Sequence, residues 1–175
     1  MFSDPKKNLE QIDFAPGMKV ADFGSGAGYH TFIVAHAVGD TGAVYALDVQ
    51  KDLLMTLKRE AEKNHLFNIE IIWADFESTE PGKLKENLID RVVVTNVLFQ
   101  INNKEGLVRE ITRVMKPSGK VLVIDWSDSF GGIGPAQKDV FPKDTCQDIF
   151  EKAGLQFEKS IDAGLHHYGF VFKKV

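Results

Sequence analysis

A chain of 175 residues with 21 basic and 25 acidic side chains has a formal charge of -4 and a pI near 5.7. That balance argues against a general nucleic-acid binder and against a basic membrane-surface protein. The length is sufficient for one domain, residues 1–175, to bury its own core. The single cysteine, Cys146, has no partner for an internal disulfide, no run approaches the roughly 18 apolar residues of a membrane span, and the start, MFSDPKKNLEQ, lacks the apolar centre of a signal peptide, so a cytoplasmic protein is expected.

Strands and helices alternate along the chain. MKVADF (18–23) reads as a buried strand, 29–38 as a helix stopped by Gly39, and GAVYALDV as a second strand ending at Asp48. Residues 51–65 form a helical pattern with Leu53, Leu54, Leu57 and Ala61 on one face. IEIIW reads as a third strand, PGKLKENLI as a weaker helix, and DRVVVTNV as a fourth strand apolar enough to be covered on both sides. A helix over 104–115, with Leu107, Ile111 and Val114 inward, is closed by KPSG; GKVLVIDW follows as strand five and 142–153 as the last helix. LQFEKSI and HYGFVFKK, joined by DAGLH, end the chain as a hairpin. This alternation of apolar strands with helices predicts an α/β fold, a parallel sheet covered on both faces. The hairpin makes the last strand antiparallel.

The first strand runs straight into VADFGSGAGYHT (20–31), which places Gly24, Gly26 and Gly28 at its carboxyl end. In an open parallel sheet ligands bind beyond that end, and the following helix offers unpaired N–H groups suited to an anionic group. The spacing is G-x-G-x-G. A dinucleotide fingerprint would need a third glycine where Tyr29 stands. Taken alone the stretch also reads as a glycine-rich surface loop. Asp48 ends strand two, about twenty residues on, where a carboxylate can accept from ribose hydroxyls. Asp75, just past strand three, can accept from an exocyclic amine while the Phe76 N–H donates to a ring nitrogen, and Val49 can wall an adenine face. Each acid alone reads first as a strand-end turn or helix cap. Their register with the glycines favours a nucleotide-like ligand.

Together VADFGSGAG, VYALDV, IIWADFES and IDRVVVTNVLFQI resemble the motifs of the class I S-adenosylmethionine-dependent methyltransferases. LVREITRVMKPSGKVLVIDW and FEKAGLQFE are similar to the branch containing the ubiquinone/menaquinone-biosynthesis and arsenite methyltransferases. The resemblance implies a Rossmann-like three-layer sandwich with a mostly parallel seven-stranded sheet in the order 3-2-1-4-5-7-6. It implies S-adenosyl-L-methionine as cofactor. Asp22 and the turn of Gly24, Ser25, Gly26 and Gly28 would hold its methionine end, Asp48 the ribose, Asp75 and Phe76 the adenine, and Asn96 the methionyl amine.

For the methyl acceptor the residues say less. His30 opens the first helix beside the methionine end, and His166 and His167 lie on the hairpin at the same rim; each is a possible base or an ordinary structural histidine. WSDSFGGIGPAQKDVF reads as an acceptor-side flap or plain disorder, with Trp126 and Tyr29 as possible pocket walls. The absence of an inserted cap suggests an open site or one completed by a second copy in a homo-oligomer. TNVL replaces the Asn/Asp-Pro-Pro-aromatic motif of methyltransferases acting on planar amines, and no Pro-Cys nucleophile or arsenite-type cysteine set occurs. No cluster has metal-ligand spacing, so no metal is expected. No Tyr-x-x-x-Lys pair or G-x-x-x-x-G-K-[ST] supports a dehydrogenase or a P-loop enzyme. A small organic acceptor is expected; the alternatives are a protein or RNA side group, or a cofactor-binding protein without catalysis.

Overall fold

The computed structural model describes residues 3–78 and 82–175. Its strands are β1 (Lys19–Phe23), β2 (Ala43–Asp48), β3 (Ile69–Trp73), β4 (Ile89–Thr95), β5 (Met115–Trp126), β6 (Leu155–Ser160) and β7 (His167–Lys174). They form one seven-stranded sheet in the order β3-β2-β1-β4-β5-β7-β6. The first five pair in parallel, and β7 runs antiparallel to both β5 and β6. The implied order and the antiparallel last strand are both found. Because β6 is parallel to β5, the turn into β7 lies on the same rim as the carboxyl ends of β1 to β5.

The helices are α1 (Pro5–Leu9), α2 (Tyr29–Val38), α3 (Lys51–Lys63), α4 (Lys104–Val114) and α5 (Lys143–Lys152). Alternate residues of a strand face opposite sides, and two apolar layers follow from this. Phe23, Val92, Val94, Val121, Val123, Phe170 and Phe172 pack with Leu107, Ile111 and Val114 of α4 and Phe150 of α5. Val20, Val93, Leu122, Ile124 and Val171 pack on the other side with Leu9, Val34, Ala35 and Val38. The central strands are covered on both sides, which is why they read as continuous apolar runs. At the end away from the glycine turn, Arg91 pairs with Asp13, and Lys120 reaches Asp13 at 3.4 Å and Glu158 at 2.9 Å.

Three local readings change. Of PGKLKENLI, Pro81 lies outside the described residues, residues 82–88 form no helix, and Ile89 already belongs to β4. The Asn87 and Leu88 N–H groups, which a helix would bond to its own preceding turn, donate instead to the Arg113 and Val114 carbonyls at 3.1 and 2.9 Å, and Arg113 Nη2 donates to the Leu84 carbonyl at 2.6 Å. The helix expected to reach residue 115 ends at Val114, and Met115 already belongs to β5, opposite Ile89. Pro117 explains this, because a proline disfavours helical geometry just before it. Finally, α1 was not anticipated, although Asp4 caps it by accepting from the Lys6 and Lys7 N–H groups at 3.0 and 3.4 Å, with Pro5 in its first turn.

Candidate functional site

The glycine turn is built mainly from its own main chain. The Gly24 and Ser25 N–H groups both donate to the Leu47 carbonyl, at 2.8 and 3.0 Å, and the Gly28 N–H donates to the Ser25 carbonyl at 2.9 Å. All three glycines have positive φ. Their crowding differs. A Cβ on Gly24 would lie 2.1 Å from Val97 Cγ2, and one on Gly28 would lie 2.8 Å from Leu57 Cγ, so protein side chains fill the space at both. A Cβ on Gly26 would meet nothing within 4 Å. Only the middle glycine leaves room for something else.

Asp48 closes the turn from the side. Its Oδ2 accepts from the Gly26 N–H at 2.8 Å and its Oδ1 from the Gln50 N–H at 2.8 Å. A carboxylate has about four acceptor positions, so capacity remains for hydroxyl donors. The carboxylate sits in the wall of a cleft of about 380 Å³ lined by Gly24, Gly26, Asp48, Val49, Asp75, Phe76 and Asn96, all anticipated, and by Gln50, Glu77, Val97, Gln100 and Ile101, which were not. Asp22, Ser25 and Gly28 lie outside this lining. Asp22 is buried behind the turn, where Thr31 Oγ1 donates to its Oδ2 at 2.6 Å. Burial raises the Asp22 carboxyl to about 6, the Thr31 bond opposes the shift, and the Asp48 charge adds to it.

Buried polar atoms are nearly always paired. Around this turn Asp22 Oδ1, Ser25 Oγ and Asn96 Oδ1 are shielded from solvent without a partner. Asn96 has a φ of 56°, a conformation asparagine tolerates better than most residues. Its N–H donates to the Ile124 carbonyl at 2.9 Å, and Gln100 Nε2 donates to its carbonyl at 2.9 Å. Asp125, also unanticipated, is buried at the end of β5. Its Oδ2 accepts from the Leu98 and Phe99 N–H groups at 2.8 and 3.3 Å, and its Oδ1 from the Trp126 N–H at 2.8 Å. Burial lifts its carboxyl to about 6 against those three bonds.

At the far end of the cleft, Trp73 Nε1 donates to the Val49 carbonyl at 2.9 Å, fixing the backbone beneath the half-exposed Val49 side chain. The Phe76 ring centroid lies 5.7 Å from that of Phe23. Asp75 Oδ1 accepts from the Glu77 N–H at 3.0 Å. Glu77 in turn accepts from the Asn102 and Asn103 N–H groups at 2.6 and 2.9 Å. These bonds hold its carboxyl below the usual carboxylate range. This clasp ties the segment after β3 to the start of α4.

The three histidines separate into two settings. His30 Nδ1 lies 3.3 Å from Thr95 Oγ1, and burial lowers its pKa to about 4, so the ring is neutral. His167 lies against Trp126, ring centroids 4.3 Å apart. His166 Nδ1 lies 2.8 Å from Asp128 Oδ1, and its ring stacks on Phe130 at 4.1 Å. None of the three lines the cleft of Asp48. The segment expected to be a flap is mostly exposed over residues 127–139, but Gly134 rests on the Trp126 indole, where a Cβ would meet the ring at 2.6 Å. No cluster of His, Cys, Asp and Glu suited to a metal ion, and no helix long and apolar enough to cross a membrane, occurs among the described residues.

A methyltransferase domain family matches residues 14–168, nearly the whole sheet and every residue of the cleft. The chain belongs to this family. The ubiquinone/menaquinone biosynthesis C-methyltransferase UbiE of Shewanella woodyi is 30% identical over 120 residues, covering 68% of this chain and 47% of the relative. The demethylmenaquinone methyltransferase of Bacillus mycoides is 30% identical over 122 residues, covering 70% of this chain and 50% of the relative. The chain thus spans about half the length of these curated relatives. Among solved structures, a SAM dependent methyltransferase from Aquifex aeolicus superposes with a TM-score of 0.89 at 26% identity, covering 99% of this chain and 91% of that one.

Proposed function

We propose that this methyltransferase domain binds S-adenosyl-L-methionine in the cleft of Asp48 and transfers its methyl group to a small organic acceptor. The observation that carries the reading is Asp48 itself, held by the Gly26 and Gln50 N–H groups in the wall of the cleft with acceptor capacity left over. The residues present fit the donor. Asp48 accepts from its sugar hydroxyls, Val49 and Phe76 supply apolar walls for the base, and Asp75 accepts from an exocyclic amine. The unpartnered Asn96 Oδ1 accepts from an ammonium group beside the open space at Gly26.

When bound, the donor supplies a sulfonium that makes its methyl group electrophilic. The chain's share is placement and the exclusion of water. Neutral His30 and the Thr95 hydroxyl stand at the rim beside the turn, where they bound the acceptor side without adding charge near the sulfonium. The quinone-type rings for which the Shewanella and Bacillus relatives are named are the first acceptors to test. Calorimetric titration with S-adenosyl-L-methionine and with NAD tests the reading. Binding of the first and indifference to the second supports it, and the reverse overturns it. Donor binding without transfer to any acceptor would instead favour a non-catalytic binding protein.

A further inference from the structure

On the α2 side of the sheet two imidazole nitrogens are shut off from solvent without a partner, Nε2 of His30 and Nε2 of His167. The register places both residues together on that side. Leu122 and Ile124 of β5 pair with Val171 and Gly169 of β7, and the next pair on the same face is Trp126 with His167. Leu122, Ile124 and Val171 all pack in the apolar layer that contains α2. Thr95, opposite Ile124, shares the face and meets His30 at 3.3 Å. Trp126 and His167 therefore form the rim row next to the His30–Thr95 pair.

The two histidines differ in what their other nitrogen fixes. A hydroxyl such as Thr95 Oγ1 can donate or accept, so it leaves the His30 tautomer open. His167 Nδ1 lies 3.0 Å from the Leu165 carbonyl. A carbonyl only accepts, so Nδ1 carries the proton. In a neutral ring Nε2 is then a bare lone pair. Burial holds the His167 imidazole below its ordinary value, which keeps the ring neutral near pH 7. The result is a base oriented by a second group, the arrangement general base catalysis uses. Beside it the Trp126 indole offers a flat apolar wall.

We propose that His167 Nε2 receives the proton of the methyl acceptor, a planar ring bearing a hydroxyl group that lies along Trp126. This rests on the donor-binding reading above. The hydroxyl proton passes to Nε2, and the electron pair it leaves forms the new bond to the methyl carbon, at oxygen or at the adjoining ring carbon. The methyl–sulfur bond breaks with its pair remaining on sulfur, and the imidazolium returns its proton to water. If the ring carbon is the nucleophile, its hydrogen leaves as a proton when aromaticity is restored. Access to the wall requires the Gly134 segment to lift from Trp126.

The test uses 1,4-naphthalenediol and catechol as probes. In protein with ¹⁵N-labelled histidine, the expected signal for His167 Nε2 is that of an unprotonated nitrogen at pH 7, and it shifts when either probe is added. With labelled donor, H167N, which keeps a donor toward the Leu165 carbonyl but has no Nε2, lowers kcat for a probe about 100-fold or more, while donor affinity by calorimetry stays within about twofold and H167Q recovers part of probe binding but not kcat. A protonated Nε2, a spectrum unmoved by both probes, or a kcat unchanged in H167N overturns the proposal. Failure of wild-type protein to bind the donor overturns the parent reading instead, and the probe-induced shift then decides the role of His167 independently.

Discussion

Asp48 Oδ2 and the Gly26 N–H lie 2.8 Å apart, so the acid placed to hold a sugar also pins the only glycine of the turn that faces open space. Binding and folding are therefore linked at this residue. D48A removes acceptors for two N–H groups and for the ligand together. Donor binding is expected to weaken by about 1.5–3 kcal/mol, the scale for hydrogen bonds to charged groups, with a Tm lowered by several degrees. Calorimetry and thermal melts read the two effects. A weakened affinity with an unchanged Tm would show that the turn does not depend on Asp48.

Gly24 and Gly26 separate the same two effects. An alanine at Gly24 would meet Val97 Cγ2 at 2.1 Å in a backbone with φ of 82°, so G24A is expected to destabilise by about 2–5 kcal/mol, the sum of overpacking and left-handed strain. The V97A change should recover part of that loss. At Gly26, φ is 52° and no atom stands in the way, so G26A should cost only about 1 kcal/mol in stability while obstructing the donor. The comparison of Tm with donor affinity checks this, and a G26A protein that binds normally would mean the open space at Gly26 is not used.

Much of this was legible in the sequence because it is local. The glycines, Asp48 and Asp75 sit at fixed offsets from strand ends, and apolar strands alternating with helices imply the parallel sheet. What stayed hidden depends on partners far along the chain. Val97 fills the space beside Gly24 only because β4 lies next to β1. Asp125 reads as an ordinary residue of VIDW until β5 brings it under the Leu98 and Phe99 N–H groups. PGKLKENLI reads as a weak helix, but the carbonyls of Arg113 and Val114 and the Arg113 side chain take the peptide groups of Asn87, Leu88 and Leu84. In each case tertiary bonding supplied the deciding term. Asp4 followed by Pro5 did carry a visible helix-start signal for α1.

Glu77 acts on the cleft through the segment it clasps. Its carboxylate accepts from the Asn102 and Asn103 N–H groups, and its folded pKa lies below the ordinary 4.5 as a result. For an acid whose pKa falls on folding, the stabilisation is complete above the unfolded value and is lost as pH drops through the folded one. Hydrogen exchange at the Asn102 and Asn103 amides should therefore be slow at pH 7 and lose its protection below about pH 4, and in E77A it should be fast at both. Donor affinity in E77A is expected to fall about tenfold or less, since the clasp is exposed. Unaltered protection in E77A would remove the clasp from the account.

Asp22 shows the opposite sign. Burial raises its carboxyl from 3.8 to about 6. Between those values the folded chain holds a proton that the unfolded chain has released, so stability falls as pH rises from about 4 to 6. D22N carries no charge to desolvate and can still accept from the Thr31 hydroxyl. Its stability should match wild type near pH 4 and exceed it at pH 7, measured by urea unfolding across that range. Asp125 is raised to a similar value, so a residual slope is expected in D22N. D125N should remove that slope in turn, at a cost in stability at every pH, because its amide keeps one acceptor oxygen where the carboxylate offers two to the three N–H groups. D22N less stable than wild type at pH 7 would mean that the ionised carboxylate is stabilised in the fold by more than the Thr31 bond.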